Sequence, residues 1–395
     1  MSAGPPRGRR AGRLAAAGAT AIALGLATAL CGAQPAATSD ANAGGAPAPV
    51  PASSEPDSPG PTPAARPPEP GPAPTRDAPP LWLVLPLESS DYARAAEAVR
   101  DGFLAAAEAA GAKARVQVLP HKDGEVRDAF EKARAGGARV IIGPLVRDDL
   151  KSIAESGLEL PVTIALNQLD DAGPMPPRLY TFALAIEADA RAIARRMRED
   201  AIVTVAVIGG TTPLMKRFAG TFVAEWILGG GAPPTQRAFA PTADGLAALR
   251  RDLAAVPLDA IVIAVEGSDA ALVKNFAPRV ATWASAQINQ RQDASAIHDL
   301  EEVRFVDVGW LVAPDAEPYG RLPRPEWGSA ALDRLYALGI DAYRVAAAFA
   351  EAPPDSLAFD GATGRVTLGD ARQIQREGRL ATFRAGRIVP IDSRR

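Results

Sequence analysis

Seven residues of this chain stand where chemistry could be done: Ser89, Ser90, Gly143, Pro144, Asn167, Gln168 and Glu266. Each closely follows a run of apolar residues of strand length, and the carboxyl ends of parallel strands are where open α/β sheets hold ligands. Hydroxyl, amide and carboxylate groups converging there would orient a small polar ligand by hydrogen bonds. The same residue types also cap helices at strand-to-helix corners. Both readings stand for Ser89, Ser90, Asn167 and Gln168. For Gly143, Pro144, Glu266 and the Thr211-Thr212 pair after "VAVIGG", a turn or a cap is the simpler reading. In "VIIGPLVRDDL", Pro144 lacks the N–H that a phosphate cradle would use. Its fixed φ suits the first turn of a following helix, and Gly143 lets the backbone turn sharply before it.

Catalytic signatures are missing. The chain has no Gly-x-Ser-x-Gly elbow, no Gly-x-x-x-x-Gly-Lys-Ser/Thr loop, no Gly-x-Gly-x-x-Gly and no His-Glu-x-x-His. Its histidines, His121 and His298, have no acid or nucleophile nearby in sequence and read as surface residues. The carboxylate pairs Asp148-Asp149 and Glu301-Glu302 read as solvated faces. With one cysteine and two histidines there is no zinc cluster and no disulfide, so no metal and no cofactor is expected. A net charge of -3 with both signs interleaved offers no basic field, and nucleic acid is not an expected partner.

The elements that must position these residues begin late. Arg7, Arg9, Arg10 and Arg13 precede the uncharged segment "LAAAGATAIALGLATAL", the form of a secretory signal over residues 1–33. Cys31, the sole thiol, follows it and is the candidate for lipidation. The alternative is ordinary cleavage after Ala33, and the bulk of Leu30 favours that alternative. Residues 34–80 are rich in Pro, Ala, Gly, Ser and Thr without an aromatic residue, the composition of a tether. Such a segment could extend about 140 Å in polyproline II geometry and would average about 40 Å as a coil.

From Leu81 strand and helix patterns alternate: "LWLVLPL", "RVQVLP", "RVIIGP", "PVTIALN", then after a crossing at "LYTFAL" a second series with "VTVAVIGG" and "AIVIAVEG". Strands that are apolar throughout are covered on both faces, which predicts parallel sheets flanked by helices in two similar α/β lobes. Gly361 with Gly364 and Ala385 with Gly386 suit the turns of two terminal hairpins. Arg372, Arg376, Arg379, Arg384, Arg387, Arg394 and Arg395 read as a solvated surface, with a contact face for an acidic partner or for peptidoglycan as the alternative.

The segments "IIGPLVRDDL", "VTIALNQ", "ASAQIN" followed by "DLEEVRFVDVGWLV", "ALGIDAYR" and "FDGATGRVTLG" resemble, in that order, the C-terminal domain of the LppC/LpoA family of penicillin-binding protein activators. The resemblance runs from about Leu81 to Ile391, essentially the whole of the folded domain expected over residues 81–395. It implies a two-lobe type I periplasmic-binding-protein fold with three crossings. The first lobe would comprise about 81–181 and 305–352, and the second about 182–304 and 353–395. It also implies a periplasmic lipoprotein, held at the outer membrane through Cys31, that stimulates a class A penicillin-binding protein and so peptidoglycan synthesis without catalysis. Peptidoglycan itself is a further partner under this reading. Long members carry a helical-repeat domain before this one, where the tether stands here. The alternative function is a receptor for an amino-acid-like or amide-like small molecule, using the cleft between the lobes for a transporter or sensor.

Overall fold

The computed structural model describes residues 79–169, 175–290 and 294–391. The expected signal segment, the tether up to residue 78, Cys31, Arg394 and Arg395 lie outside the described residues.

Two sheets form, each sandwiched by helices. The first is built from β1 (Leu81–Leu85), β2 (Val116–Pro120), β3 (Val140–Ile142), β4 (Val162–Ala165) and β5 (Leu179–Phe182). The chain then passes to the second, made of β6 (Val205–Gly209), β7 (Thr235–Ala238), β8 (Ala260–Ala264), β9 (Ala281–Ala284) and β10 (Arg304–Asp307). It returns for β11 (Ala358–Gly361), β12 (Gly364–Leu368) and β13 (Gln373–Glu377), and ends with β14 (Arg379–Arg384) and β15 (Arg387–Pro390). Among the described residues the orders are β11-β12-β13-β5-β4-β3-β1-β2 and β15-β14-β10-β9-β8-β6-β7. The pairs of the two α/β series are parallel, and antiparallel strands extend each sheet at one side.

The helices are α1 (Ala93–Ala109), α2 (Val126–Ala135), α3 (Arg147–Ala154), α4 (Ile186–Glu199), α5 (Pro213–Leu228), α6 (Ala243–Ala254), α7 (Gly267–Phe276), α8 (Ala294–Asp299), α9 (Gly309–Val312) and α10 (Ala330–Ala348). α1 and α10 cover one face of the first sheet, burying Leu83, Ile142 and Ile164 with Phe103 and Val345. α2 and α3 cover part of the other face, with Phe130 and Leu150 packed on Val84, Ile141 and Ala165. α4 and α5 enclose Val207, Val262 and Trp283 of the second sheet, and α6 and α7 its opposite face. Continuous apolar strands are what such double cover requires. α1 and α10 cross with backbones touching: a Cβ at Gly102 would lie 2.0 Å from Tyr336 O, and one at Gly339 2.1 Å from Val99 O. Only glycine permits that approach.

The sheets divide the chain differently from the expected division. The strand within "VRFVDVGWLV" stops at Asp307 and belongs to the second sheet, because Phe305 and Val306 are sandwiched between that sheet's two cores and pair with β9 and β14. Residues 358–377, expected in the second lobe, extend the first sheet. Val366 and Ile374 supply the apolar face that α10 covers, and β13 runs parallel to β5. The final hairpin does join the second sheet, turning at Ala385-Gly386. The chain crosses at Ala183–Ala185, at Val308 and at Gly378.

Candidate functional site

A cleft of about 380 Å³ lies at the carboxyl ends of β4 and β5, where the chain first crosses between the lobes. Asn167 and Gln168 line it together with Leu145, Leu166, Leu335 and Leu338, and Arg217 comes to it from the second lobe. The arrangement brings together only part of what strand-end position suggested: of the seven candidates, Asn167 and Gln168 line the cleft.

Ser89 is buried, and its Oγ accepts from the backbone N–H of Asp91 and Tyr92 at 3.2 and 3.0 Å, closing the turn into α1. Ser90 is exposed and donates to its neighbour Asp91. Asn167 Nδ2 donates to Leu145 O at 2.9 Å while its Oδ1 accepts from Gln168 N, so the side chain ties β4 to the corner after β3. Glu266 lies in the second lobe, where its carboxylate accepts from the Thr212 hydroxyl at 2.5 Å. It therefore links the corners that start α5 and α7. Thr212 also caps α5, accepting from Met215 N.

Gly143 and Pro144 do not line the cleft; they form the corner that leads into Leu145. Gly143 has a φ of +116°, and a Cβ there would lie 2.1 Å from Val84 O. The Gly143-Pro144 bond is cis, and Pro144 O accepts from Leu166 N at 2.9 Å. α3 begins only at Arg147, so Pro144 shapes the corner and does not open the helix. Glu187 of α4 and Arg217 of α5, both in the second lobe, form an ion pair of 3.1 Å and line the cleft from that side. Leu335 and Leu338 project from α10 into the same space.

Four buried charges sit beside the crossings. Arg334 of α10 donates from Nε to Asp307 Oδ1 at 2.8 Å and from Nη2 to Asp307 Oδ2 at 2.9 Å, and also binds Ala286 O and Asn289 O. Asn289 Nδ2 donates to Asp307 Oδ2 at 2.8 Å. Arg376 of β13 donates from Nη2 to Asp189 Oδ2 of α4 at 2.9 Å. Burial pushes the Asp189 carboxyl above the usual carboxylate range despite the opposing charge of Arg376, and Asp307 and Arg334 are close enough to act on it too. Each arginine belongs to the first lobe and each aspartate to the second, so the two pairs bridge the lobes where the chain passes between them.

Sequence reasoning missed these pairs. Arg376 was grouped with surface arginines, yet it is 7 % exposed, because the alternation of β13 points it with Ile374 toward the interior. Arg334 interrupts the apolar face of α10, and a charge in that position was the available signal. His121, read as a surface residue, is buried where the end of β2 meets the loop after β1, its Nδ1 2.9 Å from Lys122 O. Asp149 is buried near it, and burial raises its pKa against the influence of His121. His298 is exposed. Among the described residues no three His, Cys, Asp or Glu side chains converge to hold a metal ion.

The family model described as "LppC putative lipoprotein" matches residues 78–237 and 244–386. Over 322 residues the chain is 28 % identical to the penicillin-binding protein activator LpoA of Mannheimia succiniciproducens, which covers 78 % of this chain and 55 % of that protein. LpoA of Haemophilus influenzae is 23 % identical over 284 residues. The chain spans about half the length of the curated relatives it matches. Among solved structures, the C-domain of Haemophilus influenzae LpoA, described as a regulator of PBP1A, superposes with a TM-score of 0.68 at 23 % identity, covering 79 % of this chain and 99 % of that one. A putative branched-chain amino acid ABC transporter from Chromobacterium violaceum superposes equally well, with a TM-score of 0.68 at 31 % identity, covering 77 % of this chain and 99 % of that one.

Proposed function

The chain belongs to the LppC putative lipoprotein family, and from that premise we propose that it is a non-enzymatic activator of a class A penicillin-binding protein, regulating peptidoglycan synthesis by protein contact. The observation that carries this reading is that curated relatives sharing this folded part are named penicillin-binding protein activators. The state of the strand-end residues agrees with it: Ser89, Asn167 and Glu266 spend hydrogen-bonding groups on the protein's own corners. Under this reading the chain works in the periplasm, anchored to the outer membrane through an acylated Cys31, with residues 34–80 providing reach.

The test uses the purified chain and a class A synthase. Direct binding and a faster rate of glycan polymerisation or crosslinking are expected. Absence of binding together with unchanged synthase rates would overturn the proposal.

The resemblance to the Chromobacterium violaceum protein supports a second reading, a small-molecule receptor, and Leu145, Leu166, Leu335 and Leu338 would suit an aliphatic side chain. A ligand at 100 times its Kd would stabilise the protein by about 2.7 kcal/mol. A thermal-shift series with branched-chain amino acids, amides and muropeptides separates the readings: an upward shift with an amino acid supports the receptor.

A further inference from the structure

The first sheet is covered unequally. On the face that carries Val84, Ile141, Ala165 and Leu179, helices α2 and α3 seal β1, β3, β4 and the start of β5. Beyond that point the same sheet turns polar. Thr181 of β5 stands beside Gln373 of β13, Thr367 of β12 beside Gln375, and Arg365 beside Glu377. α4 of the second lobe borders this uncovered stretch with Arg191 and Arg195, one helical turn apart, and the two walls enclose a cavity of about 200 Å³.

Its charge is unbalanced. Arg191 makes no hydrogen bond or ion pair with any described residue. Arg365 has one exposed contact of 3.3 Å to Asp360, and Arg195 only long contacts, 3.7 Å to Glu225 and 3.6 Å to Glu377. The lining holds four arginines and a single carboxylate, Glu377; Arg376 is committed to Asp189, which leaves the guanidinium groups of Arg191, Arg195 and Arg365. Amide side chains of Gln168, Gln373 and Gln375 complete the lining.

We propose that this cavity is a binding site for the carboxylates of a short acidic peptide. Guanidinium forks recognise carboxylates by paired, charge-assisted hydrogen bonds, and the glutamines offer the donors and acceptors that peptide groups need. A cavity of about 200 Å³, below the roughly 300–1,000 Å³ of drug-sized sites, takes the carboxylate-bearing end of such a peptide and leaves the rest outside. Resting on the reading above that the chain works on peptidoglycan synthesis, the occupant is a stem peptide of the wall, which carries free carboxylates along a short chain. The site adjoins the cleft at the ends of β4 and β5, sharing Gln168, Ala183 and Ala185 with it.

Isothermal titration of the full chain with the tripeptide L-Ala-γ-D-Glu-meso-diaminopimelate tests this without any synthase, so its failure is distinct from failure of the activator reading. Saturable binding is expected. Amidation of the peptide carboxylates, or Arg191→Ala or Arg365→Ala, should weaken it about tenfold or more. Both arginines are exposed, and circular dichroism of each variant should match the parent. The proposal is overturned by absence of heat at millimolar peptide, or by unchanged affinity in the double variant. Equal displacement by sulfate at the same concentration, or a tenfold preference for a linear Glu-rich decapeptide, would overturn it too. The first of these marks an unselective anion site and the second a protein ligand.

Discussion

Arg334 on α10 and Asp307 at the end of β10 meet through two parallel hydrogen bonds of 2.8 and 2.9 Å, at 8 % and 1 % residue exposure, and they belong to different lobes. A buried pair of this kind is costly to break from one side, since the remaining charge stays in the interior without its partner. Arg334→Ala or Asp307→Ala should each lower the unfolding free energy by about 3–5 kcal/mol. The double variant should cost less than the sum of the two, because neither charge is then stranded. Urea denaturation of the four proteins in a cycle measures this, and strict additivity would show that the pair does not act as a unit.

The second cross-lobe pair makes a prediction about pH. Burial raises the Asp189 carboxyl above its unfolded value, against the pull of Arg376. The folded protein therefore binds more protons than the unfolded chain between the unfolded carboxylate pKa of about 3.9 and the raised folded value. In that window the contribution of Asp189 to stability is greatest at the acidic end and declines as pH rises. Asp189→Asn should remove this decline, although the variant is less stable throughout. Chemical denaturation from pH 4 to 7 gives both slopes, and parallel profiles would refute the assignment.

Asp341 anchors the turn between β11 and β12. Fully buried on α10, it accepts from Ala362 N at 2.9 Å, Thr363 N at 2.7 Å and the Thr363 hydroxyl at 2.6 Å. Asp341→Ala leaves three donors without an acceptor, at about 1–3 kcal/mol for each group that stays unsatisfied. A loss of at least 2 kcal/mol is expected, and hydrogen exchange should show the amides of Ala362 and Thr363 opening first. A loss under 0.5 kcal/mol would mean that the turn is held by its strand pairing alone.

At the corner after β3, Gly143→Ala meets two penalties. The new Cβ would fall 2.1 Å from Val84 O, and the backbone holds a φ of +116° that L side chains rarely adopt. Overpacking costs about 1–3 kcal/mol and backbone strain about as much again. The variant should unfold at markedly lower urea, and its thermal midpoint should fall by several degrees. Unchanged stability would show that this corner relaxes freely.

The alternation of apolar strands and amphipathic helices was enough to read two α/β lobes, since runs such as "LWLVL" and "AIVIA" require helices on both faces. The hairpin turn at Ala385-Gly386 was also legible from its residue types. Membership of a strand in one sheet or the other was not. β12 and β13 alternate polar and apolar residues, and that pattern would suit the edge of either sheet. Val366 and Ile374 are placed only by the non-local surface that α10 offers them. The strand-end residues were located by their neighbours in sequence. Their partners, such as Leu145 O for Asn167 and Thr212 for Glu266, lie on other segments and could not be read from spacing.

The order in which the strands are laid down has a consequence for biogenesis. β13 lies beside β5, and β14 beside β10, so the last forty or so residues close both sheets. Neither lobe is a continuous stretch of chain, and each waits on the carboxyl terminus for its remaining strands. A stop codon between α10 and β13 therefore removes strands from the two sheets together, whereas one after β13 removes strands from the second sheet alone.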